Sequence, residues 1–261
     1  MKFKAYLKNS ISLKSITLAK SDPGRIGLMV LFDIMFVVSF FILQKLSIYF
    51  AGSIFPYQSY ASMLIFLAFS FVYYLAALSL YIFFKYNILG FVKSLFGAAK
   101  ASSRFGEFYL LNISITAIFF AILLALNFVL LSVKQAYAPI VFIFLAVPYL
   151  LALYVILNLS HSIFYQGATL KNTLKASFKI TFSRPGAYRE AILLMIVFAL
   201  LAWALLSGGG YLAGLLASKG SVSYLNAYGI FRQASIAVID IMFYLVILIN
   251  RISFYSIASS T

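Results

Sequence analysis

Of the five acidic residues in this 261-residue chain, Asp33 and Asp240 stand well inside long hydrophobic runs, and Arg251 shares the run of Asp240. A charge held inside a bilayer costs about 2.5 to 3.5 kcal/mol on insertion scales, so each needs a partner or a proton. Depth along the runs pairs Asp33 with Arg251, both expected in the cytoplasmic half. Asp240 lies nearer the outer end, eight residues from Arg232, with no partner at its own level, and protonation would relieve it. Such carboxylates either form an ion or proton path or close a bundle through a buried pair. Asn112, Asn127, Asn158 and Asn250 add polar atoms to the same runs, where amides join helices by hydrogen bonds.

Other chemistries have thinner support. With no cysteine there is no disulfide, thiolate nucleophile, Cys-based zinc site or iron–sulfur ligation. His161, the single histidine, has no second ligand at metal-binding spacing and reads as a membrane-interface residue. Glu107 and Glu190 fall just inside apolar runs, where a carboxylate suits the positive end of a helix. The segment "SGGGYLAGLLASKG" at 207 to 220 lacks the order of a nucleotide loop and reads as a flexible outer connection, although Gly210 and Gly214 have the spacing of a close helix contact. Ser207 and His161 belong to opposite membrane faces, which excludes a serine–histidine intramembrane protease. No catalytic residue, metal site or cofactor is assigned.

The elements that position these residues follow from composition. The chain is 64% hydrophobic and 10% charged, against about 25% charged in soluble domains. A bilayer core needs about 20 apolar residues per helix, and six runs satisfy this, near 26 to 48, 60 to 84, 106 to 133, 138 to 160, 188 to 206 and 234 to 256. The first 25 residues are polar and basic and the run after them is full length, so no signal peptide is expected. Fifteen of the 20 Lys and Arg residues lie before the first span, in 85 to 104 or in 171 to 189, whereas Lys45, Lys134, Lys219 and Arg232 lie opposite. This asymmetry predicts a multi-pass cell-membrane protein with both termini cytoplasmic. It also reads the net charge of +15 as topology rather than nucleic-acid binding, since no basic–aromatic module stands outside the runs.

Gly24, Gly106 and Gly186 recur 82 and 80 residues apart, each after a basic stretch and before a span. The chain therefore reads as one integral membrane domain, 1 to 261, of three hairpin repeats, about 1 to 84, 85 to 161 and 162 to 261. Each repeat begins with an amphipathic interfacial helix. In the second, Ile88, Phe91, Val92, Leu95, Phe96 and Ala99 share a face flanked by Lys93 and Lys100. In the third, Leu170, Leu174 and Phe178 form the apolar stripe beside Lys171, Lys175 and Lys179. These five lysines are expected to reach lipid headgroups. Pro-Gly pairs at 23 to 24 and 185 to 186 suit a sharp turn from surface to span, and Pro148 suits a kink in the fourth span.

This alternation of basic stretches and apolar hairpins, in "GFVKSLFGAAKASSRFG" and "TLKNTLKASFKITFSRPG", resembles the six-span membrane domain fused to some glycerophosphodiester phosphodiesterases. The likeness covers nearly the whole chain, and the family's phosphodiesterase domain has no counterpart here. It implies a link to lipids and no activity. The expected fold is all-α, a polytopic bundle of six transmembrane helices. The expected role is non-enzymatic, transporter- or permease-like, with membrane lipids as partners. The alternatives are a scaffold or assembly factor for a cytoplasmic protein and, last, a lipid-modifying enzyme.

Overall fold

A computed structural model describes residues 10–54, 60–97, 104–218 and 224–260. Among the described residues the chain is all-α: α1 (Ile11–Ser21), α2 (Pro23–Ile54), α3 (Tyr60–Leu95), α4 (Phe105–Leu131), α5 (Ala138–Tyr165), α6 (Leu170–Ser183), α7 (Arg189–Ser218) and α8 (Tyr224–Ser259). Helices α2, α3, α4, α5, α7 and α8 are long and apolar enough to cross a membrane. The shortest of them, α4, has 27 residues, about 40 Å at 1.5 Å per residue, more than the roughly 30 Å of a hydrocarbon core. Each satisfies its own backbone hydrogen bonds, which is what lets it stand in lipid. The protein is a multi-pass integral membrane protein.

The helices depart from the sequence expectations at two places. The stretch 88 to 95, expected as a separate interfacial helix, continues α3 without a break to Leu95. Its apolar side is taken up by the protein, with Ile88, Leu89 and Val92 all buried. The chain turns away two residues after Leu95, at Gly97, whose φ of 73° is open to glycine at little cost. Secondly, the glycine-rich stretch from Ser207 is helical to Ser218, as part of α7; Lys219 and Gly220 lie outside the described residues. The expected turns do occur. Asp22 accepts from the Arg25 amide at 3.1 Å ahead of Pro23, the first residue of α2, and Pro185–Ala187 forms a single 3₁₀ turn before α7.

The chain divides into two compact units, one of Met1–Leu18 with Phe182–Thr261 and the other of Ala19–Thr181. In the second, α3 packs along α2, and α4 and α5 pack on each other and on α3. Its buried core gathers where α2 and α4 begin and α3 and α5 end, at Met29, Ile82, Phe84, Phe108, Leu111, Ile156 and Leu159. This end also carries the flanking Lys and Arg residues, and is called the basic end below. Phe32 meets Phe84 and Phe91 edge-on, at 6.1 and 5.3 Å between ring centres. Toward the other end, large side chains such as Phe41, Met63, Phe128 and Phe144 are exposed, as suits helices solvated by lipid tails.

Both hairpins of this unit are fastened by an arginine. Arg25, paired with Asp22 at 3.0 Å, donates to the Ser94 carbonyl at the end of α3. Arg104, paired with Glu107, donates at 3.2 Å to the Ala168 carbonyl just beyond α5 and lies 4.6 Å over the Phe164 ring. Each guanidinium thus ties the start of one helix to a backbone carbonyl at or just beyond the end of another. The hydrogen bond to Glu107 raises Arg104 above its usual pKa.

In the first unit α7 packs along α8. The Phe231 ring of α8 occupies the place where a Cβ on Gly209 of α7 would stand, so a residue without a side chain makes room for the ring here. Phe198 stacks on Phe243 at 5.7 Å, and the Asn250 amide donates to the Ala191 carbonyl at 3.2 Å. Glu190, expected to cap its own helix, caps α1 instead. Its carboxylate accepts from the Ser10 hydroxyl at 2.9 Å and the Ser12 amide at 3.2 Å, where the helix carries its positive end. Ser15 of α1 meets Ser253 of α8 at 2.9 Å.

Candidate functional site

The polar groups that the second unit buries come from four helices. Lys85 is near the end of α3, Asn112 in the first half of α4, Ser160 and His161 near the end of α5, and Thr173 and Ser177 on α6. Each is placed by the packing at the basic end: apolar neighbours on the same turns, Phe84, Leu111 and Leu159, are buried and draw their polar neighbours inside with them.

His161 is fully enclosed, against the expectation of an interface residue. Rings cover it, with Phe108 at 4.9 Å and Tyr81 at 6.3 Å. Its Nε2 lies 2.9 Å from Asn112 Oδ1, and the Asn112 amide donates to the Phe108 carbonyl at 2.8 Å. Because the amide end is committed there, Oδ1 must accept from the histidine, and Nε2 carries the hydrogen. In the neutral ring Nδ1 is then an acceptor. It has no hydrogen-bond partner among the described residues. Lys85, 9% exposed, acts electrostatically on the same ring. Sequence reading counted Lys85 as part of a basic loop; the helix that carries it runs on for ten residues and takes it inside.

Helix α6 meets this cluster with a face of hydroxyls. Thr173, Ser177 and Thr181 are buried at four-residue spacing, while Lys171, Lys175 and Lys179 are exposed and Leu170, Leu174 and Phe178 are half-buried. Ser160 donates to Ser177 at 2.8 Å, tying α6 to α5 beside His161. The Thr173 hydroxyl is buried and has no hydrogen-bond partner among the described residues. The apolar stripe is therefore only half-buried, and the buried side consists of Thr173, Ser177, Ile180 and Thr181, which the lysine and leucine spacing did not reveal.

The other expected site residues lie on α2, α3, α6 and α8. Asp33 is half-buried on α2 in the second unit and Arg251 half-buried on α8 in the first, while Asp240 is exposed on α8. Lys93 is half-buried at the end of α3, and Lys100 lies outside the described residues. Of the asparagines, Asn112 and Asn250 join helices as expected, whereas Asn158 donates to Tyr154 of its own helix at 2.8 Å. Ser207 is exposed on α7. The one cue to the cluster in the sequence is Lys85 itself, a lone cation between "IFF" and "YNIL".

What this arrangement can do follows from its groups. It offers a cation, an unused nitrogen acceptor and an unused hydroxyl in a region enclosed by aromatic and aliphatic side chains, where electrostatic and hydrogen-bonding effects exceed those in water. No protein-family model, curated protein or solved structure matches this chain.

Proposed function

We propose that the protein is a non-enzymatic, permease-like integral membrane protein that engages anionic lipid headgroups through α6 and admits an anionic membrane component toward Lys85 and His161. One observation carries the reading: the Ser160–Ser177 hydrogen bond joins the helix with the exposed lysine row directly to the helix that bears His161. An anion drawn to the rim would meet a second cation, Lys85, farther in. Ionisable residues inside spans are costly and mark substrate paths often enough to make this the leading reading. The likeness to the membrane domain of glycerophosphodiester phosphodiesterases agrees with a lipid role.

The test is reconstitution into vesicles of neutral lipid with and without an anionic lipid. Binding of anionic lipid should weaken when Lys171, Lys175 and Lys179 are replaced together by Gln, while Lys85→Met should stop movement of a labelled anionic lipid and leave binding intact. Equal retention of neutral and anionic lipid would overturn the proposal. The exposure of the three lysines also supports the scaffold reading, in which an acidic cytoplasmic protein takes the place of lipid. Under that reading the triple Gln variant loses the protein partner and Lys85→Met has no effect.

A further inference from the structure

Helix α8 presents two unlike sides. One side faces α7, with Phe231 against Gly209. Half a helical turn away from Phe231, at the spacing of one face, stand Gln233, Ile236, Ala237 and Asp240, all exposed, and Gly229 one further turn back is half-buried. Asp240 lies twelve residues from Tyr228 and nineteen from Ser259, the ends of this span. Those separations are about 18 and 28 Å along the helix, so its carboxyl group is within the hydrocarbon. Among the described residues it takes part in no hydrogen bond or ion pair.

We infer that this face of α8 docks a transmembrane helix of a different protein, one that carries a single arginine or lysine at the depth of Asp240. Charge decides the occupant. An exposed carboxyl group facing lipid tails leaves its oxygens unpaired, at a cost that either protonation or a donor must offset. A basic residue removes that cost and adds an attraction strong in a medium without water. Gln233, one heptad away on the same face, supplies a second polar contact, and Ala237 and Gly229 let a helix backbone come close. A second copy of this chain is the poorer occupant. Two-fold pairing through the same face sets Asp240 against Asp240 and brings like groups together.

The chain has no cysteine, so Ser259→Cys, on an exposed terminal residue of α8, gives a single labelling point. The labelled protein is reconstituted in vesicles with synthetic polyleucine helices that carry either one central arginine or none, and association is read by energy transfer. The arginine helix should associate with the protein and the all-leucine helix should not. Asp240→Leu, which places an apolar side chain against lipid and threatens no packing, should weaken the arginine-helix association roughly tenfold. Asp240→Glu should retain it. Equal association of both helices, or of the arginine helix with Asp240→Leu, overturns the inference. So does energy transfer between differently labelled copies of the protein that Asp240→Leu abolishes, since that result assigns the face to self-association.

Discussion

His161 Nε2 stands 2.9 Å from Asn112 Oδ1, linking α5 to α4 across 49 residues of sequence in a place closed to solvent. The pair fixes the tautomer of the only histidine. Asn112→Leu would remove the acceptor and leave an enclosed N–H unpaired, at a cost of about 1 to 3 kcal/mol. Thermal unfolding in detergent should show the loss. His161→Phe on the Asn112→Leu background removes the stranded donor and should recover part of it, a coupling that a double-mutant cycle measures directly.

A methyl group on Gly209 has nowhere to go, because the Phe231 ring occupies its position. Gly209→Ala should destabilise the α7–α8 hairpin by about 1 to 3 kcal/mol, the usual range for overpacking. Gly208→Ala is the control: nothing lies within 4 Å of the added carbon, and the better helix propensity of alanine should leave stability unchanged or slightly higher. The pair of variants separates close contact from mere helicity.

Removal of the Glu190 carboxylate takes away two acceptor contacts at the start of α1. Glu190→Ala should cost about 0.5 to 2 kcal/mol, the range measured for lost helix caps, and the effect should be local. Amide hydrogen exchange at Ser12 and Leu13 should accelerate while the spans keep their protection.

The lysine row of α6 should act additively. Each of Lys171→Gln, Lys175→Gln and Lys179→Gln should weaken binding to anionic vesicles by about 1 kcal/mol near the surface, and added salt should narrow the differences because exposed charges are screened. Lys93→Gln, at a half-buried position, should matter less. Vesicle flotation at several salt concentrations reads all four.

The six spans were legible because a run of more than 20 apolar residues has few other uses, and the positions found for α2, α4 and α5 differ from the apolar runs by only a few residues. The ends of α3 and α7 were not. The stretch from Lys85 reads as a basic segment leading into a separate interfacial helix and Gly208 to Gly210 as a loop, since glycine and charge weaken helices in water. In a bilayer the unpaired backbone would cost more than the lost propensity, and glycine allows the close contact of Phe231. The same inversion explains α6. The apolar stripe marks an interfacial helix, but where lipid is an equally good solvent for leucine the buried side can go to residues such as Ser177, which bonds Ser160. His161 and Lys85 could not be brought together from sequence at all, because their meeting depends on which faces of α3, α4 and α5 turn toward one another.

The contacts of α1 also set an order of events during synthesis. Ser10, Ser12 and Ser15 leave the ribosome well before their partners Glu190 and Ser253, which follow 178 to 238 residues later. At about 5 to 20 residues per second the first helix waits on the order of ten seconds or more for its seat. Until then it is a basic, uncapped segment with nothing of its own unit to hold it. Synthesis of the α7–α8 hairpin is therefore the event that captures α1, and a chain truncated before α7 should leave α1 as open to protease as it is before that hairpin is made.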